Sequence, residues 1–90
     1  MVERIKKALR ISSIAYDDEI TDLIEQAKAD LRLAGIYFTN ETDPLIMRAI
    51  TVYCKANFGY DNVDADRFNH SYMMLKQHLS FSGDYREVVI

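Results

Sequence analysis

His70 and His78 stand eight residues apart in a stretch of helical pattern, and Asp66 precedes His70 by four. That spacing puts Asp66 and His70 on one helix face, and a carboxylate and an imidazole are both metal ligands. Two neighbouring ligands fall short of the three or four that a zinc site requires, and the chain has no His-Glu-x-x-His or Cys-x-x-Cys pattern. These residues therefore read as polar positions on a solvated helix, and no metal is expected. The lone cysteine, Cys54, follows Ile46 and Ile50 at four-residue steps, which sets it on an apolar face. A thiol there behaves as a small hydrophobe rather than a nucleophile. Asp17, Asp18 and Glu19 are dense enough for acid–base work, yet they stand where a helix begins, and negative charge is favoured there. Gly35, Gly59 and Gly83 are isolated helix stops, far from the spacing that cradles a phosphate. No catalytic residue and no cofactor site is expected.

The aromatic residues carry a different kind of chemistry. Phe58, Tyr60, Phe68, Tyr72, Phe81 and Tyr85 crowd the second half of the chain. Phe68 and Tyr72 fall on a helical stripe, which predicts core packing. Phe58, Tyr60, Phe81 and Tyr85 fall in turns or in the last residues, where aromatic side chains commonly anchor an interface. From residue 80 onward, Ser82-Gly83-Asp84 breaks the helical pattern, and Tyr85, Val88, Val89 and Ile90 favour extended backbone. Nothing upstream reads as a strand to pair with them. Residues 80–90 are therefore expected to form a docking arm, with Phe58, Tyr60, Phe81, Tyr85, Val88, Val89 and Ile90 as candidate interface residues. In the plainer reading, Phe81 and Tyr85 fold back on the helices and only residues 88–90 are loose.

The elements that must position these residues are helices. Glu3 to Ile11 places Ile5, Leu9 and Ala8 on one side of a short helix, with Glu3 and Lys7 spaced for an i,i+4 pair. Asp17 to Ala34 carries the stripe Ile20, Leu23, Ile24, Ala27 and Leu31, with Asp17 or Asp18 as the cap and Gly35 as the stop. After a loop containing Tyr37, Phe38 and Asn40, Asp43-Pro44 starts a third helix that runs to about Phe58 and stops at Gly59. Apolar residues cover most of its circumference, so it is either central to the core or sandwiched between subunits. Asp64 is placed to cap a fourth helix, Ala65 to Leu79, with the stripe Phe68, Tyr72, Leu75 and Leu79, widened by Met73 and Met74. The expected fold is all-α: a compact bundle of three main helices, a short N-terminal helix and an extended C-terminal tail, in one domain spanning 1–90.

Composition narrows the function. Ninety residues, 49% of them apolar, make one ordered domain of modest stability. No window approaches the roughly 18 uninterrupted apolar residues of a membrane span, and no apolar run follows the N-terminal charges as in a signal peptide. Synthesis in a cytoplasm is expected, in keeping with a single cysteine. The net charge of −3 and the absence of a basic block longer than Lys6-Lys7 give little attraction to phosphate. A helix-turn-helix reading would make Ala65 to Leu79 the recognition helix, but Arg67 and Lys76 beside Asp66 are poor equipment for it.

Two blocks resemble a known family. Val2-Glu3-Arg4-Ile5-Lys6-Lys7-Ala8-Leu9-Arg10-Ile11, with Tyr16-Asp17-Asp18-Glu19-Ile20 and Leu23-Ile24-Glu25-Gln26-Ala27-Lys28, is similar to the opening of the small head–tail connector proteins of long-tailed bacteriophages and prophages. These are also called head-completion or DNA-packaging adaptor proteins. Asp43-Pro44-Leu45-Ile46, Lys55-Ala56-Asn57-Phe58-Gly59, Leu75-Lys76-Gln77-His78-Leu79-Ser80 and Gly83-Asp84-Tyr85 resemble the branch from phages of Gram-positive hosts. In many relatives the central helix ends in an aromatic and basic cluster; here it ends Asn57-Phe58-Gly59-Tyr60-Asp61, so no role of that cluster carries over.

The resemblance implies a non-enzymatic, structural protein at the virion head–tail interface. It implies a ring of identical subunits under the portal protein, which extends the DNA channel and meets a downstream head-completion or tail protein. An acidic channel wall suits DNA that slides without specific binding. The tail from Ser80 is expected to add a strand to the portal or to a neighbour. The competing class is a small cytosolic helical regulator or adaptor that binds nucleic acid or one protein partner.

Overall fold

A computed structural model describes residues 1–37, 39–59 and 62–86 of the chain. Four helices follow in order: α1 (Val2–Leu9), α2 (Asp17–Leu33), α3 (Pro44–Asn57) and α4 (Ala65–Ser80), with a 3-10 turn at Ile14–Tyr16 before α2. The all-α fold expected from the sequence is the fold observed. The described residues span 44 × 24 × 19 Å.

Local chemistry sets each boundary. α1 ends at Leu9, two residues before the expected end, because Arg10 turns left-handed at φ 60° and its N–H reaches the Lys6 and Lys7 carbonyls. Neither Asp17 nor Asp18 caps α2. The 3-10 turn, capped by Ser13, runs directly into the helix, so Tyr16 stands at the cap without a side-chain bond and the two carboxylates fall inside the first turn. The expected Glu3–Lys7 pair is replaced by one centred on Lys6. That lysine is buried beside Ile5 and meets Asp17 at 2.9 Å and Glu3 at 3.8 Å. The hydrogen bond to Asp17 outweighs burial and holds the ammonium above its ordinary pKa.

α2 closes in a Schellman motif. The Ile36 N–H donates to the Leu31 carbonyl at 3.0 Å and the Gly35 N–H to that of Arg32 at 2.9 Å, with Gly35 at φ 88°. Leu31 and Ile36, the apolar pair this motif brings together, are both fully buried. α3 starts as the sequence predicts: Asp43 accepts from the Leu45 and Ile46 N–H groups at 3.1 Å, and Pro44 occupies the first turn. Asp64 precedes α4 but makes no side-chain cap bond. Asn62 organises that turn instead, accepting from the Asp64 N–H at 3.1 Å and donating to the Lys55 carbonyl.

α3 packs against all three other helices, so its broad apolar surface is core. Ile46, Ala49, Ile50 and Cys54 are fully buried there, against Ile5 of α1 and the Ile20–Leu31 stripe of α2. α4 lies outermost, packed chiefly on α3. One narrow side of it is therefore buried, at Tyr72 and Leu79, and the methionines expected to widen that stripe point outward, with Met73 49% and Met74 58% exposed. Polar bonds tie the outer helix to α2: Asp30 accepts from the Tyr72 hydroxyl and from Lys76 Nζ, the latter at 3.0 Å. Tyr53 meets the Tyr72 ring edge-on, with centroids 5.1 Å apart.

Burial pushes the Asp30 carboxyl up, but the hydrogen bonds from Tyr72 and Lys76 and the Lys76 charge prevail and hold it below its ordinary value of 3.8. Released by unfolding, Asp30 takes up its proton first as acid is added. Its contribution to stability is complete above pH 3.8 and fades as pH falls through the lower folded-state value. Asp30→Asn is expected to flatten that acid limb and, because the carboxylate is partly solvated, to cost no more than about 1 kcal/mol at neutral pH. Urea titrations of both proteins between roughly pH 2 and 7 check this, and an unchanged limb would refute it.

Candidate functional site

The C-terminal segment does not leave the body at the end of α4. Beyond the helix the Ser82 carbonyl accepts from the Tyr85 N–H at 3.2 Å, which reverses the chain. The Tyr37 N–H then donates to the Tyr85 carbonyl at 2.9 Å, and Arg86 forms an antiparallel bridge with Ile36. So a pairing partner exists upstream, contrary to the sequence reading: Ile36–Tyr37, which leaves the Schellman turn in extended form. The Tyr85 hydroxyl reaches both oxygens of Asp43, at 3.1 and 3.0 Å. Burial, the bond to Asp43 and the nearby Asp43 and Asp84 charges raise the phenol above its ordinary range, so it stays a donor.

Phe81 and Tyr85 thus part company. Tyr85 is folded inward and packs against the core, whereas Phe81, the cap residue of α4, is 76% exposed. Beside it lies Leu45, 45% exposed at the start of α3, and the two line a shallow apolar shelf with Leu79, His78 and Tyr85. Phe58 is not part of this end. It caps the far end of α3, about 20 Å away along the helix at 1.5 Å per residue. There it is half-buried and meets the Tyr16 ring edge-on, with centroids 5.4 Å apart. Tyr60, Val88, Val89 and Ile90 lie outside the described residues.

The residues with catalytic or ligating chemistry stay dispersed. Cys54 is fully buried, and burial pushes its thiol up to about 12, which keeps it protonated and inert. His70, His78 and Asp66 are exposed on α4, and among the described residues no group of three potential metal ligands comes together. No helix among them is long and apolar enough to cross a membrane. What the sequence did not disclose is the second role of Asp43 and the place of Leu45. One signal for the strand partner was present, since Ile36-Tyr37-Phe38-Thr39 is an unbroken run of β-branched and aromatic residues, as Val88-Val89-Ile90 is an unbroken β-branched run in the tail.

The architecture is that of a small helical module with an exposed apolar end and no assembled reaction centre among the described residues. Over residues 1–86 the chain matches the phage connector protein family, and it belongs to that family. No curated protein and no solved structure matches it. The chain is accordingly a structural component of the phage head–tail interface, interacting with other head and tail proteins. The matched range ends at Arg86, the residue that closes the bridge with Ile36.

Tyr85→Phe keeps the ring and removes the hydroxyl from Asp43. Amide exchange at Tyr37 is expected to quicken about tenfold, with the α3 core amides unchanged, because only the segment's own opening becomes easier. Hydrogen exchange followed residue by residue checks this, and equal protection at Tyr37 would show that the hydroxyl does not hold the segment.

Proposed function

We propose that this connector assembles as a ring of identical subunits beneath the portal protein, extends the DNA channel and receives the next head-completion or tail protein. It acts by binding and positioning, without catalysis. The observation that carries the docking part of this reading is the shelf of Leu45 and Phe81, where large apolar side chains stand in water at the end of the molecule that also carries the C-terminal segment. Apolar area of this kind is stabilised by coverage, at about 25 cal/mol per Å² removed from water. Residues 80–90 form the docking element in this reading, with Phe81 as anchor. In this reading the tail from Ser80 docks by adding a strand to the portal or a neighbouring subunit. The net charge of −3 gives the passing duplex little to hold.

The test is complementation of a phage lacking this gene. The intact chain is expected to restore tailed, infectious particles, and Phe81→Ser, which removes an exposed side chain and should leave the helices intact, to reduce them at least about tenfold. Removal of residues 87–90 is expected to do the same while preserving helix content. Failure of the intact chain to enter particles would overturn the connector ring; full activity of both altered chains would move docking away from this end.

A further inference from the structure

Three cations gather along the groove between α3 and α4. Arg48 and Lys55 come from α3 and Arg67 from α4, with Thr51 and Ser71 between them. Lys55 Nζ and Arg67 Cζ lie 5.5 and 5.2 Å from the centroid of the Phe68 ring, which holds both cations at the groove. Among the described residues Arg48 and Lys55 enter no ion pair, and Arg67 has only Asp64, at 3.6 Å in an exposed setting. Among the described residues, positive charge is thus concentrated and largely uncompensated on one face of a chain whose net charge is −3.

The compensating charge stands on α2. Asp18, Asp22 and Glu25 follow at i, i+4 and i+7 on the face opposite the buried Ile20–Leu31 stripe, and all three are exposed. Asp18 and Asp22 enter no ion pair among the described residues, and Glu25 meets only Lys28, at 3.6 Å. The two faces also match in length. Asp18 to Glu25 and Arg48 to Lys55 are each seven helical steps, about 10.5 Å, with Asp22 between the first pair and Arg67 beside Lys55 over the Phe68 ring.

We propose that the α3–α4 groove receives the acidic face of α2 from a second copy of this chain. Each copy carries one groove and one acidic α2 face; with the groove engaged by one neighbour and α2 by the other, the contact is heterologous and propagates as a ring or a filament. The inference rests on the ring reading above and supplies its lateral contact. Duplex DNA is the weaker occupant, because the groove is only about 160 Å³, Asp64 flanks Arg67, and the whole chain repels a polyanion.

Sedimentation of the intact chain at about 1 mM protein and about 10 mM salt is expected to show species larger than dimers, weakened at least about tenfold by roughly 0.5 M salt. Lys55→Glu with Arg67→Glu, and separately Asp18→Lys with Asp22→Lys, should each lose association by about tenfold or more. Mixing the two altered chains should recover it to within about threefold, since each groove then meets an α2 of opposite charge. Helical circular dichroism checks that both chains fold, and the salt dependence of the unaltered chain needs no substitution. A monomeric unaltered chain, altered chains that associate normally, a mixture without recovery, or short duplex DNA that displaces the association would each overturn the proposal. If it fails while the chain still restores phage particles, the connector reading stands and the subunits meet elsewhere; association without restored particles is the reverse case.

Discussion

The carboxylate of Asp43 is bonded at once to the first turn of the central helix and to the turn at Ser82–Tyr85. It accepts the Leu45 and Ile46 N–H groups that α3 leaves without partners, and it accepts the Tyr85 hydroxyl forty-two residues later. Because α3 touches every other helix, the register of its first turn decides where Ile46, Ala49 and Ile50 enter the core. The same two oxygens decide where the C-terminal segment comes to rest. Loss of the carboxylate would therefore fray the helix start and free the tail together, coupling a core boundary to the surface that presents Phe81.

Around that centre the elements are tied by partly buried charges. Lys6 holds α1 to the start of α2 through Asp17, Lys28 holds the loop before α3 through Glu41, and Asp30 holds α4 through Tyr72 and Lys76. A chain of ninety residues hides too little apolar surface to fix a peripheral helix by area alone. Each pair contributes modestly in energy. Their geometric effect is larger: α1 and α4, which bury narrow stripes, are held in one orientation, so the exposed faces of the molecule are reproducible surfaces.

The helices were legible because their information is periodic. The i, i+3, i+4, i+7 stripe of α2, the Asp43-Pro44 start of α3 and the left-handed stop at Gly35 each follow from local rules and were found where expected. The misreadings depended on neighbours. Met73 and Met74 lie one position to either side of residues that face α3, and among the described residues α4 packs chiefly on α3, which leaves them in water. Asp17 was displaced from the cap because Ile14–Tyr16 had already begun to wind. The pairing of Ile36–Tyr37 with Tyr85–Arg86 is too short for alternation to show, and it joins segments fifty residues apart in sequence. Composition alone singled out Phe81 and Tyr85. Their separation into an outward and an inward residue depends on the turn at Ser82, whose closing residue, Tyr85, also bonds the Asp43 oxygens.

The surfaces divide by physical type in a way that bears on assembly. Large apolar side chains stand exposed where α3 begins and α4 ends, at Leu45 and Phe81, whereas the flanks of α2 and of the α3–α4 groove carry opposite charges. Contact through the first is driven by water release and depends little on salt; contact through the second is directional, screened, and weak for one pair of copies. A lateral contact of the second kind is too weak to assemble rings freely at physiological ionic strength, where exposed charges are screened within about 8 Å. It gains strength when neighbours are already held side by side, because the local concentration of the facing charges rises. If the proposed ring forms, these strengths set its order: the apolar end engages its platform first and the charged flanks then close the row, so that subunits accumulate at the head rather than in solution.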